Sequence, residues 1–146
     1  TQISLPHLVR AAHILQIASV SAYQPLPYFN VYAASKAFVL HYSRALREEL
    51  RSRGIGVTAV CPGWIKTDFF DRAQETGSSK LKMFKPIYTQ EAVAGKAVRD
   101  ALKGKAVSKK GAFIKLQAFF AKAFPHGLTM RLWLMQQGIK RPKLNR

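Results

Sequence analysis

The sequence predicts an α/β fold built on a parallel sheet. Three observations carry that prediction. Residues 14–20, Ile14-Leu15-Gln16-Ile17-Ala18-Ser19-Val20, form a short, nearly continuous apolar run that suits a strand buried on both faces. Residues 31–53 follow with helical spacing. Residues 55–61 make a second apolar run, cut off by Pro62-Gly63. Strand, helix and strand in that order form a βαβ unit, whose strands lie parallel with a right-handed crossover.

After the first run comes a loop with Pro25 and Pro27. In the helix, Phe38, Tyr42, Ala45, Leu46 and Leu50 share a stripe expected to face the sheet, and Arg44, Arg47 and Arg51 lie off it. Gly54 supplies the stop, because glycine enters the left-handed conformation of a helix end without a Cβ clash. Residues 69–88 hold Gly77-Ser78-Ser79, mixed charge and no clean period, which predicts a long mobile loop or lid. A second helix is expected over 91–103, with Thr89 as N-cap and Gly104 as stop. Phe113, Leu116, Phe120 and Phe124 recur at helical spacing, Pro125 interrupts, and 128–137 resumes as helix. Residues 139–146 are expected to fray. The organisation read from this is a partial α/β region over 1–104 and a basic helical extension over 105–146.

Hydrophobic residues make up 48% of the 146, so a disordered tail is excluded. No apolar run approaches the roughly eighteen residues of a membrane span, and the first residues lack the charged and apolar regions of a secretory signal. Cys61 is the only cysteine, so no internal disulfide is available. A cytoplasmic setting is the expectation. It stands on Cys61 being the only cysteine.

Charge is the unusual feature: 24 basic against 7 acidic side chains, formally +17. All seven acids lie at or before Asp100, and eleven Lys and Arg run from Lys103 to Arg146. Such a field draws polyanions. A solvated basic surface accounts for it most simply. Nucleic acid is not expected, since Phe69-Phe70 and Phe119-Phe120 read as core or lid and not as a base-stacking platform. Peripheral contact with an anionic membrane, through 128–137 with Trp133 and its flanking cations, is the alternative.

Three polar features fall at one rim of the βαβ unit. Ser19 lies at the carboxyl end of the first strand. Tyr32 and Lys36, four apart, share one face of the helix. Pro62-Gly63-Trp64-Ile65-Lys66-Thr67 leaves the carboxyl end of the second strand, the edge where open α/β sheets bind ligands. A phenol normally titrates near pH 10, too high to trade protons readily at neutrality. A lysine ammonium one turn away favours the phenolate and is expected to lower that value. A serine hydroxyl aimed at the same point can hydrogen-bond a carbonyl or alkoxide oxygen. Ser21 competes for that role. Cys61 reads as core, because no histidine is arranged as its base, and His7, His13, His41 and His126 have no metal-ligand spacing.

Ser19, then Tyr32-Ala33-Ala34-Ser35-Lys36, then Pro62-Gly63-Trp64-Ile65-Lys66-Thr67 resembles the short-chain dehydrogenases/reductases. The likeness is close over residues 5–70. It implies the C-terminal half of a doubly wound parallel-sheet Rossmann fold, with additional C-terminal helices. It also implies interconversion of an alcohol and a carbonyl by hydride transfer with NAD or NADP. Carried over, Tyr32 is the acid/base and Lys36 lowers its pKa and bonds the nicotinamide ribose. Ser19 orients the substrate oxygen. Pro62, Gly63 and Ile65 hold the nicotinamide through backbone, and Thr67 lies near the carboxamide or phosphates. The substrate is a small alcohol or carbonyl. Phe69, Phe70, Met83, Phe84 and Tyr88 point to an apolar one.

The departure from that family is large. The sequence has no glycine-rich turn for the pyrophosphate, no Asn-Asn-Ala-Gly strand and no catalytic asparagine on a helix before Ser19. The chain is expected to begin inside that helix, at residues 1–12. At roughly thirty residues per βαβ unit, on the order of a hundred residues would precede it. A homo-oligomer, or pairing with the missing N-terminal half, is the expected assembly. The competing reading is a non-catalytic domain whose basic C-terminus binds a partner or an anionic membrane surface.

Overall fold

A computed structural model of the chain describes residues 1–66, 82 and 85–141. Its main sheet has three parallel strands in the order β1-β2-β5: β1 His13–Ile17, β2 Gly56–Val60 and β5 Val107–Ser108. The β1–β2 register runs from His13 opposite Gly56 to Ile17 opposite Val60, and β5 continues it with Ser108 opposite Val60. Helix α1, Asn30–Glu49, crosses from β1 to β2, and α2, Gln90–Leu102, precedes β5. A second, two-stranded parallel sheet pairs β3 Trp64–Ile65 with β4 Ile87–Tyr88. Helices α3, Ala112–Ala123, and α4, His126–Gln137, complete the described chain.

β2 is the central strand, and Val57, Thr58, Ala59 and Val60 are all buried. The expectation of a β1 buried on both faces does not hold. β1 has one neighbour among the described residues, and Ile17 at its end is 59% exposed. The expected helix over residues 1–12 is likewise only a 3₁₀ segment, Gln2–His7. Pro6 inside it lacks the N–H an α-helix would use.

The face that α1 buries differs from the predicted stripe. Ala33, Leu40, Ser43, Leu46 and Leu50 point inward, whereas Phe38 is 70% exposed and stacks on Tyr42, with ring centroids 6.0 Å apart. Ser43 tolerates burial because its hydroxyl donates to the Val39 carbonyl at 2.6 Å. A polar residue whose hydrogen bond is satisfied locally therefore occupies the core side, which periodicity in apolar residues misses. Arg47 ties the layers together, donating to the carbonyls of Val57 (3.0 Å) and Gly104 (2.8 Å).

The signals at the helix ends hold. Gly54 and Gly104 sit at φ +67° and +66°, and the Thr89 side chain accepts from the Ala92 N–H at 3.3 Å. The segment after residue 104 is woven into the main layer. β5 extends the sheet, and Ala118 and Ala121 of α3 pack with Ala18, Tyr23, Leu40, Ala59 and Cys61. Asp100 anchors that junction. Buried at 4% exposure, its carboxylate accepts from Lys96 Nζ (2.7 Å), Lys105 Nζ (2.9 Å) and Ser108 Oγ (2.8 Å). Burial alone would push this carboxyl up, but the three donors outweigh it and hold its pKa well below the ordinary range.

Candidate active site

The rim anticipated from sequence is a cleft of about 220 Å³. Ser19, Tyr32, Lys36, Pro62, Gly63 and Ile65 all line it. Thr67 lies outside the described residues, as do Phe69, Phe70, Met83 and Phe84. Tyr88 is described but is not on the lining; it packs with Val60, Val93 and Ala97 and pairs with Ile65.

The local backbone explains how the strand ends meet. Ala18 N–H donates to Val60 O at 2.9 Å, and Val20 N–H donates to Pro62 O at 2.9 Å, so the ladder continues past β1 and β2. That pairing holds Ser19 in extended conformation at the start of the 3₁₀ turn Val20–Tyr23. Ser19 Oγ accepts from the Ser21 N–H at 3.2 Å, which leaves its own hydroxyl proton to donate elsewhere. Tyr32 is the partner: Ser19 hydrogen-bonds its phenol oxygen.

Tyr32 stacks on Phe29, with centroids 4.4 Å apart. Burial pushes its phenol above the ordinary tyrosine range, and the hydrogen bond from Ser19 works in the opposite direction. The expected net lowering of this pKa is not met, because burial outweighs the groups that favour the phenolate. Lys36 Nζ lies over the ring, 5.5 Å from the centroid, and donates to the Ile17 carbonyl at 3.0 Å. The ammonium thus also fastens the end of β1, and the hydrogen bond from Ser19 favours the phenolate.

Gly63 has a packing reason to be glycine. A Cβ there would run into the Ile114 side chain of α3. Cys61 is buried with its Sγ 3.8 Å from the Tyr23 hydroxyl, and burial pushes its thiol pKa up, so it is core and not a nucleophile. No group of three or more His, Cys, Asp or Glu among the described residues is placed to hold a metal.

Several cleft residues were not legible in sequence. Leu26, Phe29, Trp64 and Trp133 give it apolar walls, and Gln117 adds a polar one. Trp133 is 5% exposed, and its Nε1–H donates to the Pro27 carbonyl at 3.0 Å. It therefore belongs to the cleft and not to a membrane-facing surface. Ser21 Oγ, also on the lining, is buried and has no hydrogen-bond partner among the described residues.

A serine, a tyrosine and a lysine thus converge beyond the carboxyl edge of a parallel sheet, the edge where open α/β sheets bind ligands. Residues 1–77, just over half of the chain, match the short chain dehydrogenase family. The chain belongs to that family. It is 45% identical over 67 residues to the uncharacterized oxidoreductase YghA of Escherichia coli K12, covering 46% of this chain and 23% of that protein. It is 42% identical over 69 residues to the very-long-chain 3-oxoacyl-CoA reductase of Rattus norvegicus, covering 46% of this chain and 22% of that one. Among solved structures, a Burkholderia cenocepacia short chain dehydrogenase in complex with NADP shares the fold. Its TM-score is 0.65 at 24% identity, over 84% of this chain and 47% of that one. The chain thus spans less than a quarter of the length of these two curated relatives and about half of the solved one.

Proposed function

We propose that this chain carries the catalytic face of an NAD- or NADP-dependent oxidoreductase that interconverts an alcohol and a carbonyl, and that it works as one portion of a longer enzyme. The observation that supports this reading most is the convergence of Ser19, Tyr32 and Lys36 on one cleft walled by the ends of two parallel strands. In reduction the Tyr32 hydroxyl donates its proton to the substrate carbonyl oxygen; in oxidation the phenolate takes it back. When substrate enters, Ser19, with a lone pair engaged by the Ser21 N–H, turns its hydroxyl proton from the phenol to the substrate oxygen. When bound, the dinucleotide supplies or accepts the hydride.

The donor set fits the nicotinamide and ribose end of such a cofactor. Lys36 offers its ammonium to the ribose, and Pro62, Gly63 and Ile65 offer backbone around the nicotinamide, with Thr67 next in sequence. The orphaned Ser21 hydroxyl is a further group waiting for a polar partner. The pyrophosphate has no counterpart cradle, since the sequence contains no glycine-rich turn. The remaining half is received along the open edge of β1, with a second copy of the chain as the other assembly. Leu26, Phe29, Trp64 and Trp133 favour an apolar carbonyl substrate.

In the enzyme that contains this chain, Tyr32→Phe lowers turnover by about 10² to 10⁴-fold, the range of a lost general acid–base group. Turnover within about threefold of wild type would sink the assignment. The chain by itself, mixed with NADH or NADPH and a carbonyl, leaves the cofactor unoxidised. Carbonyl-dependent oxidation by protein whose mass matches these 146 residues would overturn that part.

A further inference from the structure

Helix α3 has an outward face that soluble helices do not normally carry. Its inward side is Ile114, Ala118 and Ala121, all buried. Opposite them lie Phe113, Leu116, Phe119 and Phe120, each at 45% exposure or more, and Phe124 closes the row. At 100° per residue these side chains sweep the whole side away from the core. Helix α4 repeats the pattern on a smaller scale. Leu128, Leu132 and Met135 form an exposed stripe, while Thr129, Trp133 and Gln137 face inward.

The borders of this surface are basic. Lys115 is exposed on α3, Arg131 on α4, and Lys140 and Arg141 follow α4. On the flank where α3 meets β5 and α1, Lys109 sits close enough to Lys122, Arg44 and Lys115 to feel their charge. Its pKa is pulled down, first by burial and then by those neighbours. The chain has no acidic residue after Asp100. Exposed aromatic and aliphatic side chains that have cations, and no acid, at their borders among the described residues match an anionic bilayer surface: apolar groups enter the headgroup boundary and cations meet the lipid phosphates. A second copy of the chain would bring the same positive field to the contact and be repelled by it. Neither helix is long and apolar enough to cross a membrane, so the surface lies along the bilayer and does not span it.

We propose that the outward faces of α3 and α4 dock this chain onto an anionic lipid surface, with Phe113, Leu116, Phe119 and Phe120 as the inserted groups. The proposal stands apart from the catalytic reading, because none of these four side chains lines the cleft.

Co-sedimentation of the purified chain with two vesicle types tests it: phosphatidylcholine alone, and phosphatidylcholine with a minority of phosphatidylserine. The chain pellets with the second, and pelleting falls steeply as salt rises. Leu116→Gln with Phe119→Gln lowers the partition coefficient roughly tenfold, and Lys115→Glu lowers it about fivefold. Phe38→Gln, which removes an exposed aromatic from α1 and not from α3 or α4, leaves binding unchanged while circular dichroism confirms the fold of each variant. Equal pelleting with both vesicle types would overturn the proposal. So would wild-type chain that stays in the supernatant with anionic vesicles. A dimer in light scattering that the α3 double variant abolishes, with no vesicle binding by wild type, would assign the face to a second copy and overturn it as well.

Discussion

Lys36 Nζ donates to the carbonyl oxygen of Ile17 across 3.0 Å, fastening the second turn of α1 to the last residue of β1. The same ammonium lies over the Tyr32 ring. One cation therefore fixes the strand end, the helix and the phenol relative to one another.

That geometry separates the effects of Ser19 and Lys36 on the phenol. Followed by alkaline difference absorbance against Tyr32→Phe, Tyr32 titrates above the ordinary tyrosine range. Ser19→Ala raises it further, because the hydrogen bond that favours the phenolate is gone. Lys36→Met moves it less than Ser19→Ala does. A larger shift from Lys36→Met would show that the ammonium, and not Ser19, is the main support of the phenolate.

Gly63 and Ile114 share a contact too close for a side chain on both. Gly63→Ala is expected to destabilise the chain by about 1–3 kcal/mol, the usual cost of overpacking. Adding Ile114→Val returns part of that loss by shortening the side chain in the way. Urea midpoints read the result, and an unchanged midpoint for Gly63→Ala would contradict the close packing of α3 on the strand end.

Asp100 links stability to acid. Its folded pKa lies below its unfolded one, so the stabilisation it brings is present above the unfolded carboxylate value of about 3.9 and is lost as pH falls below it. Asp100→Asn removes the charge that Lys96, Lys105 and Ser108 converge on, costing about 2–4 kcal/mol near neutrality. The variant should also lose less stability than wild type between neutral pH and acid. Denaturation curves at the two ends of that range decide it, and parallel losses would remove Asp100 from the account.

Ser21→Ala deletes a buried hydroxyl with no partner among the described residues. Its stability should equal that of wild type or exceed it by about 1 kcal/mol. In the full-length enzyme the same change raises KM about fivefold for a carbonyl substrate or cofactor whose polar group uses that hydroxyl, with a smaller effect on kcat. A clear loss of stability would mean that the hydroxyl is satisfied inside the fold.

Much of the scaffold was readable because its signals are local. The strands β1 and β2 and the helices α1 to α4 follow from short apolar runs, helical period and end residues such as Gly54, Thr89 and Gly104. The short strands β3, β4 and β5 were not, since two residues carry no period. Ser19, Tyr32, Lys36 and Pro62-Gly63 could be gathered on one rim from order and spacing alone, because parallel strands put their carboxyl ends on the same edge.

By itself, then, the sequence determined the α/β class, the order of the main elements and the edge on which its polar residues meet. Each of these rests on neighbours a few positions apart. Only the tertiary structure decided that α1 turns Ser43 inward and Phe38 out, and that Lys36 holds a backbone carbonyl. It also decided that Gly63 yields space to Ile114, and that Trp133 reaches back 106 positions to Pro27 to wall the cleft. Those outcomes depend on which surfaces meet when distant segments pack, and no local period in the chain encodes such a contact.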